Sequence, residues 1–156
     1  MNLKKTDLSK AIISKILVYY EDYYKNTLGL KNWQALCKDR INEEEIYCSR
    51  YISRIQEWIN IDFSQKKILV VGSGTGGELV NFHAEGAQVF GIEPYEPALE
   101  ICRLKAQISG FPEINIKKCF AEKIDFEDDF FDLVYCYTVI EHVEDVSKSI
   151  DEMLRV

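Results

Sequence analysis

Six consecutive residues, Gly72-Ser73-Gly74-Thr75-Gly76-Gly77, follow directly on the apolar run Ile68-Leu69-Val70-Val71, and an acid, Glu93, lies further on. These residue types at this spacing suit a cradle for a nucleotide cofactor. Gly72 permits a tight turn, Gly74 lets backbone approach a ligand with no side chain in the way, and Gly76 and Gly77 free the start of the next helix for close packing. Amide donors at that helix start face the ligand, and a carboxylate at Glu93 offers paired acceptors to ribose hydroxyls. The spacing Gly72-x-Gly74-x-x-Gly77 also satisfies the dinucleotide pattern, so on the loop alone a nicotinamide-dependent oxidoreductase stays open. The pair Glu141-His142 brings an imidazole, a side chain type suited to general base work near neutral pH. The plainer alternative is that His142 caps or packs at a helix start, with Glu141 orienting it or capping. His83 reads as a surface residue near a helix C-terminus, where a cation favours the dipole.

These residues need a scaffold. Ile68 to Val71 reads as a strand buried on both faces, and Ala87 to Glu93, introduced by Gly86 as a helix stop, as a second. Pro97 to Ser109 is expected to be a helix closed by Gly110 and Pro112. Asn115 to Phe120 is expected as a third strand, Phe131 to Tyr137 as a fourth, and Val146 to Arg155 as an amphipathic helix burying Ile150, Met153 and Leu154. Asp125 to Asp129 is an acidic surface loop. From Ser64 onward strands and helices alternate, the order of an α/β doubly wound sheet. Ahead of it, Leu8, Ile12, Ile16, Leu17, Tyr20, Tyr23 and Tyr24 recur at helical spacing, with Thr6 or Asp7 as N-cap and Gly29 as stop. A less regular segment covers Trp33 to Arg40. A second helix runs from about Glu43 to Ile59, with Tyr47, Tyr51, Ile55 and Trp58 on one face, either as core or as a lid whose tyrosines line a substrate pocket. The expected division is therefore 1–63, a helical segment or lid, and 64–156, a cofactor-binding unit.

The chain has 156 residues, 47% hydrophobic and 12% aromatic, enough for one packed domain. Its net charge of −7 argues against a broad nucleic-acid face. The lysine pairs Lys4-Lys5, Lys66-Lys67 and Lys117-Lys118 read as solvated element ends. Five cysteines, Cys37, Cys48, Cys102, Cys119 and Cys136, are odd in number and lack a C-x-x-C spacing, which suits reduced thiols in the cytoplasm. With His83 and His142 the only histidines, no zinc site is expected. Asp7, Ser9, Lys10 and Lys15 interrupt the N-terminal apolar run, so neither a signal peptide nor a membrane span is expected.

Four pieces in order, Gly72-Ser73-Gly74-Thr75-Gly76, Glu93-Pro94-Tyr95, Phe131-Asp132-Leu133-Val134 and Val139-Ile140-Glu141-His142-Val143, resemble the class I S-adenosylmethionine-dependent methyltransferases. The resemblance is strongest to their small-molecule branch, which includes the ubiquinone-biosynthesis O-methyltransferases. It covers about Lys67 to Val156, and its most discriminating piece is the Glu-His-Val segment, which dinucleotide dehydrogenases lack. It implies a Rossmann-like sheet with strand order 3-2-1-4 and S-adenosyl-L-methionine as cofactor. Gly72, Ser73, Gly74, Thr75 and Gly76 would then hold its methionine and ribose parts, and Glu93 the ribose hydroxyls. Pro94 and Tyr95 would lie against the adenine, Ala121 and Glu122 at its edge, and the Tyr137 carbonyl would accept from the methionine amine.

Three positions depart from the family pattern. Val70 stands where an acidic residue is common, and Phe120 where an aspartate often receives the adenine amino group, leaving Glu122 or backbone to do so. Thr138 stands where metal-using relatives, among them small-RNA 2′-O-methyltransferases, carry a glutamate, so no metal is expected. The resemblance further implies a longer domain with three more strands. The expectation is a fragment, with a partner-supplied remainder or a degenerate remnant as alternatives, and an open fourth-strand edge that favours self-association or a covering partner. It implies methyl transfer to the oxygen or nitrogen of a small molecule, with His142 as candidate base. A non-catalytic cofactor-binding or interaction module is the alternative of another class. The acceptor itself is not legible.

Overall fold

A computed structural model describes residues 5–111 and 113–156, with side chains except those of 5–9, 39–48 and 108. The expected packing of Leu8 and Tyr47 and the expected stop at Pro112 lie outside the described residues.

Four parallel strands form one sheet in the order β3-β2-β1-β4: β1 Lys67–Val71, β2 Gln88–Ile92, β3 Asn115–Lys117 and β4 Leu133–Cys136. The register sets Val71 beside Ile92 on one side and Cys136 on the other. The ends from which the loops leave are thereby level. Alternation along β1 feeds two cores. Ile68 and Val70 point to one face with Leu79 and Phe82 of α3 (Gly77–Ala84), Ile52 of α2 (Trp33–Ile59) and Cys102 of α4 (Glu96–Ser109). Leu69 and Val71 point to the other, with Ile92, Ala121, Ile124, Met153 and Val156. Helix α5 (Val146–Arg155) covers this second face.

A third cluster joins the N-terminal helices to the rest. Ile12, Ile16 and Tyr20 of α1 (Lys5–Glu21) pack with Cys37 of α2 and Ile101 of α4. Helix α1 runs on into a π-helical turn, Asp22–Thr27, and the chain reverses near Gly29 at φ +64°.

Several expectations needed correction. Thr6 and Asp7 lie within helix α1 rather than ahead of it. Helix α2 begins at Trp33 because no glycine or proline interrupts Trp33 to Ile59. Its inward residues include Cys37, Ile52 and, as expected, the partly buried Ile55, whereas Trp58 is 82% exposed. Leu17 and Tyr23 are exposed as well. The third strand stops at Lys117, and Phe120 is 64% exposed in the turn that follows. On α5 the inward residues are Ser149 and, as expected, Met153, with Val156 buried just beyond its end, leaving Ile150 exposed and Leu154 78% exposed.

A charged clamp closes the second face. Arg155 pairs with Glu152 at 2.8 Å and with Asp128 at 2.7 Å, and donates to the carbonyls of Ile124 and Phe126. Glu152 in turn accepts from the Ile124 amide at 2.7 Å. The Arg155 guanidinium is the main reason the Glu152 carboxyl is held down to about 2. The acidic loop is thus tied to α5. No described helix is long and apolar enough to cross a membrane.

Candidate functional site

Backbone geometry shapes the loop after β1. Gly72, Gly74 and Gly76 have φ of +66°, +50° and +88°, a region that L-residues with a Cβ avoid. Two of them are also hemmed in. A Cβ on Gly72 would stand 2.3 Å from a Val139 methyl, and one on Gly76 would stand 2.6 Å from the Cys102 Sγ. Gly74 differs, because a Cβ there would have nothing nearer than the Gly72 carbonyl oxygen at 4.0 Å. The loop is packed tightly at its ends and open in its middle.

The acid at the end of β2 meets this opening. Glu93 accepts from the Gly74 amide through Oε2 and from the Tyr95 amide through Oε1, each at 3.0 Å. The Ser73 amide donates to the Ile92 carbonyl at 3.0 Å, and the Gly76 amide to the Ser73 carbonyl at 2.8 Å. The loop is therefore pinned to the end of β2 through backbone and side chain together. Ser73 is 1% exposed, and its Oγ has no hydrogen-bond partner among the described residues.

Around this centre the other residues fall at different distances from the loop. Pro94 is half-buried, and Tyr95 is 48% exposed with its ring 5.8 Å from that of Tyr19. Ala121 is buried in the second core with Val71 and Ile92. Glu122 reaches across to the segment before α5, accepting from the amides of Glu144 at 2.8 Å and Asp145 at 3.5 Å. Desolvation works to raise the Glu122 carboxyl, but the amides of Glu122, Glu144 and Asp145 outweigh it and hold it below the usual carboxylate range. Tyr137 follows β4, its ring 5.1 Å from Tyr51 of α2. His142 ends a 3₁₀ turn, Ile140–His142, and is exposed; its backbone amide donates to Val139 at 2.8 Å. Burial and the Glu141 carboxylate push the Cys136 thiol up, which disfavours a thiolate there.

Three contacts were not foreseen. Tyr20 of α1, buried, places its hydroxyl 3.4 Å from Thr75 Oγ1. Val139 rests on Gly72 and Cys102 lies under Gly76. Tyr20 belongs to an apolar stripe, and only its hydroxyl hints at a second task. Nothing in the residue types marks Val139 or Cys102. Among the described residues no group of three or more His, Cys, Asp or Glu is placed to hold a metal ion.

A parallel sheet ordered β3-β2-β1-β4, with a glycine loop after the central strand and an acid ending its neighbour, is the core of the class I S-adenosylmethionine-dependent methyltransferase fold. A family model described as a methyltransferase domain matches residues 69–156, more than half of the sequence, and the chain belongs to this family. The ubiquinone biosynthesis O-methyltransferase of Stutzerimonas stutzeri is 39% identical over 92 residues, covering 56% of this chain and 39% of that protein. Norajmaline N-methyltransferase of Rauvolfia serpentina is 29% identical over 154 residues, covering 86% and 53%. The uncharacterized methyltransferase YcgJ of Bacillus subtilis is 27% identical over 93 residues, covering 60% and 37%. The crystal structure of YcgJ aligns with a TM-score of 0.62 at 24% identity, over 70% of this chain and 45% of that one. The chain thus spans between about a third and about half of the length of the curated relatives it matches.

Proposed function

We propose that the chain binds S-adenosyl-L-methionine at residues 72–76 and transfers its methyl group to an oxygen or nitrogen atom of a small molecule. The observation that carries this reading is the bridge from the Gly74 amide to the Glu93 carboxylate, which sets paired acceptors beside the open middle of the loop. The residues fit such a cofactor on two further counts. A buried Ser73 hydroxyl lacks a partner, and the space beside Gly74 admits a ligand.

In this reading Gly72, Ser73, Gly74, Thr75 and Gly76 hold the methionine and ribose, and Glu93 holds the ribose hydroxyls. Pro94 and Tyr95 line the adenine, Ala121 and Glu122 border its edge, and the Tyr137 carbonyl accepts from the amine. The cofactor supplies an electrophilic methyl group on a sulfonium. The protein aligns the acceptor behind that methyl and keeps water away. His142 takes the proton from an oxygen acceptor. The names of two relatives, an O-methyltransferase and an N-methyltransferase, support oxygen or nitrogen as the acceptor atom.

Residues 1–63 serve as a lid over the cofactor-binding unit 64–156. The Tyr20–Thr75 and Tyr51–Tyr137 contacts support this, because each joins an N-terminal helix to the loop end of the sheet. The reduced-thiol composition supports the cytoplasm as the location. The edge of β4, which pairs with β1 alone among the described strands, favours association with a second copy or another chain.

Calorimetric titration with S-adenosylhomocysteine tests the reading, with a Glu93→Ala variant and an NAD control. Binding by the parent chain that weakens about tenfold or more in the variant is expected, given two lost charge-assisted contacts to ribose. A folded parent chain that binds NAD and not S-adenosylhomocysteine refutes it. Binding without methyl transfer to any acceptor in a panel leaves a cofactor-binding module.

A further inference from the structure

We propose that Thr138 is a positioning residue whose hydroxyl competes with the cofactor's ammonium group for the carbonyl oxygen of Tyr137. The inference rests on the reading just given, in which that carbonyl receives the amine.

Thr138 has φ +54°, a left-handed conformation that is a genuine outlier for a β-branched residue. Such strain persists where the surroundings over-determine it. Before Thr138, β4 is locked in register, with Cys136 beside Val71. After it, Val139 is pressed onto Gly72, and the Val139 carbonyl accepts from the His142 amide. The reversal at Thr138 is what turns the chain from the strand end onto the glycine loop. It also brings the Thr138 Oγ1 to 2.7 Å from the Tyr137 carbonyl oxygen, a hydrogen bond from a neutral donor.

The hydroxyl is exposed, so rotation about one side-chain bond returns it to water. An ammonium carries three donors and a full charge, and a charge-assisted bond to the same oxygen is about twice as strong as a neutral one. The incoming group therefore displaces the hydroxyl, which until then keeps the carbonyl oriented. The device lowers affinity and favours ligands that bring a cationic amine over those that do not.

The test compares two variants that both shorten the branched side chain and differ only in the hydroxyl, Thr138→Ala and Thr138→Ser. Both relieve crowding at a left-handed position, so thermal midpoints at or above that of the parent are expected. Calorimetry with S-adenosylhomocysteine should show Thr138→Ala binding about three- to tenfold tighter than the parent, and Thr138→Ser within about twofold of it. With 5′-methylthioadenosine, which lacks the amino-acid tail, the two variants should bind alike. Equal affinities of Ala and Ser for S-adenosylhomocysteine overturn the proposal, as does a gain that appears equally with methylthioadenosine. If parent and variants all fail to bind S-adenosylhomocysteine, the cofactor reading falls and this inference falls with it.

Discussion

Replacing Gly72 by alanine isolates the physical demand made by the cofactor loop. Two penalties combine at this position. The φ of +66° puts a Cβ in the left-handed region, worth about 1–2 kcal/mol. The same Cβ would sit 2.3 Å and 3.1 Å from the two methyls of Val139, an overlap that overpacking studies place at about 1–3 kcal/mol. The single variant should therefore lose about 2–5 kcal/mol, a large part of a domain's usual stability. Val139→Ala alone removes two half-buried methyls and should lose about 1 kcal/mol. In the double variant the nearest Val139 atom is its Cβ at 3.3 Å, so the overlap disappears while the backbone penalty stays. The pair should then lose about 2–3 kcal/mol, about 1–3 kcal/mol less than the sum of the two singles. Urea unfolding followed by circular dichroism and tryptophan fluorescence gives all three values. Additivity within about 0.5 kcal/mol would refute the steric half of the reasoning and leave backbone conformation as the sole reason for glycine.

Two further outcomes follow from the charged contacts. Glu152 titrates lower in the folded chain than its ordinary 4.5, down to about 2, so its stabilising contribution is complete above the ordinary value and fades as the pH falls towards 2. Glu152→Gln should accordingly be about 1–2 kcal/mol less stable than the parent at pH 7, with the gap narrowing below the ordinary value and closing only as the pH falls through about 2, whereas a gap that is constant with pH would count against the Arg155 clamp. Glu122→Ala should speed amide hydrogen exchange at Glu144 and Asp145 by about tenfold, since it removes their acceptor, and unchanged exchange would show that the segment before α5 is held by other means.

The elements of the sheet were legible because each carries its own punctuation. An unbroken apolar β1 ends in Gly72, Gly86 follows α3 with φ +84°, and Gly110 closes α4 with φ +94°. The strand order was legible only through resemblance, since apolar runs do not say which neighbour they choose. The start of α2 was hidden because a helix without a breaker shows no boundary, and Trp58 was misplaced because an aromatic fits an exposed stripe as readily as a buried one. On α5 Ile150 and Leu154 looked inward by their apolar character, yet the small Ser149 allows the helix to lie close and occupies the buried row instead. At the site, Glu93 was visible by type and distance from the loop. Glu122 was visible by position, but its reach to Glu144 and Asp145 depends on a loop whose path no local pattern specifies. Tyr20, Val139 and Cys102 touch the loop from distant parts of the sequence, and only the folded chain brings them there.

The third hydrophobic cluster separates two kinds of stability in one chain. Ile12, Ile16 and Tyr20 of α1 meet Cys37 and Ile101 without drawing on the residues that pack β1 on either face. Detaching the helix that reaches Thr75 opens this small cluster, the Lys15–Glu100 ion pair and the Tyr20–Thr75 and Tyr19–Tyr95 contacts, at a free energy below that of unfolding the sheet. In the lid reading proposed above, access to the glycine loop is set by a local equilibrium, tunable by single substitutions on α1, while the strands that shape the loop remain folded.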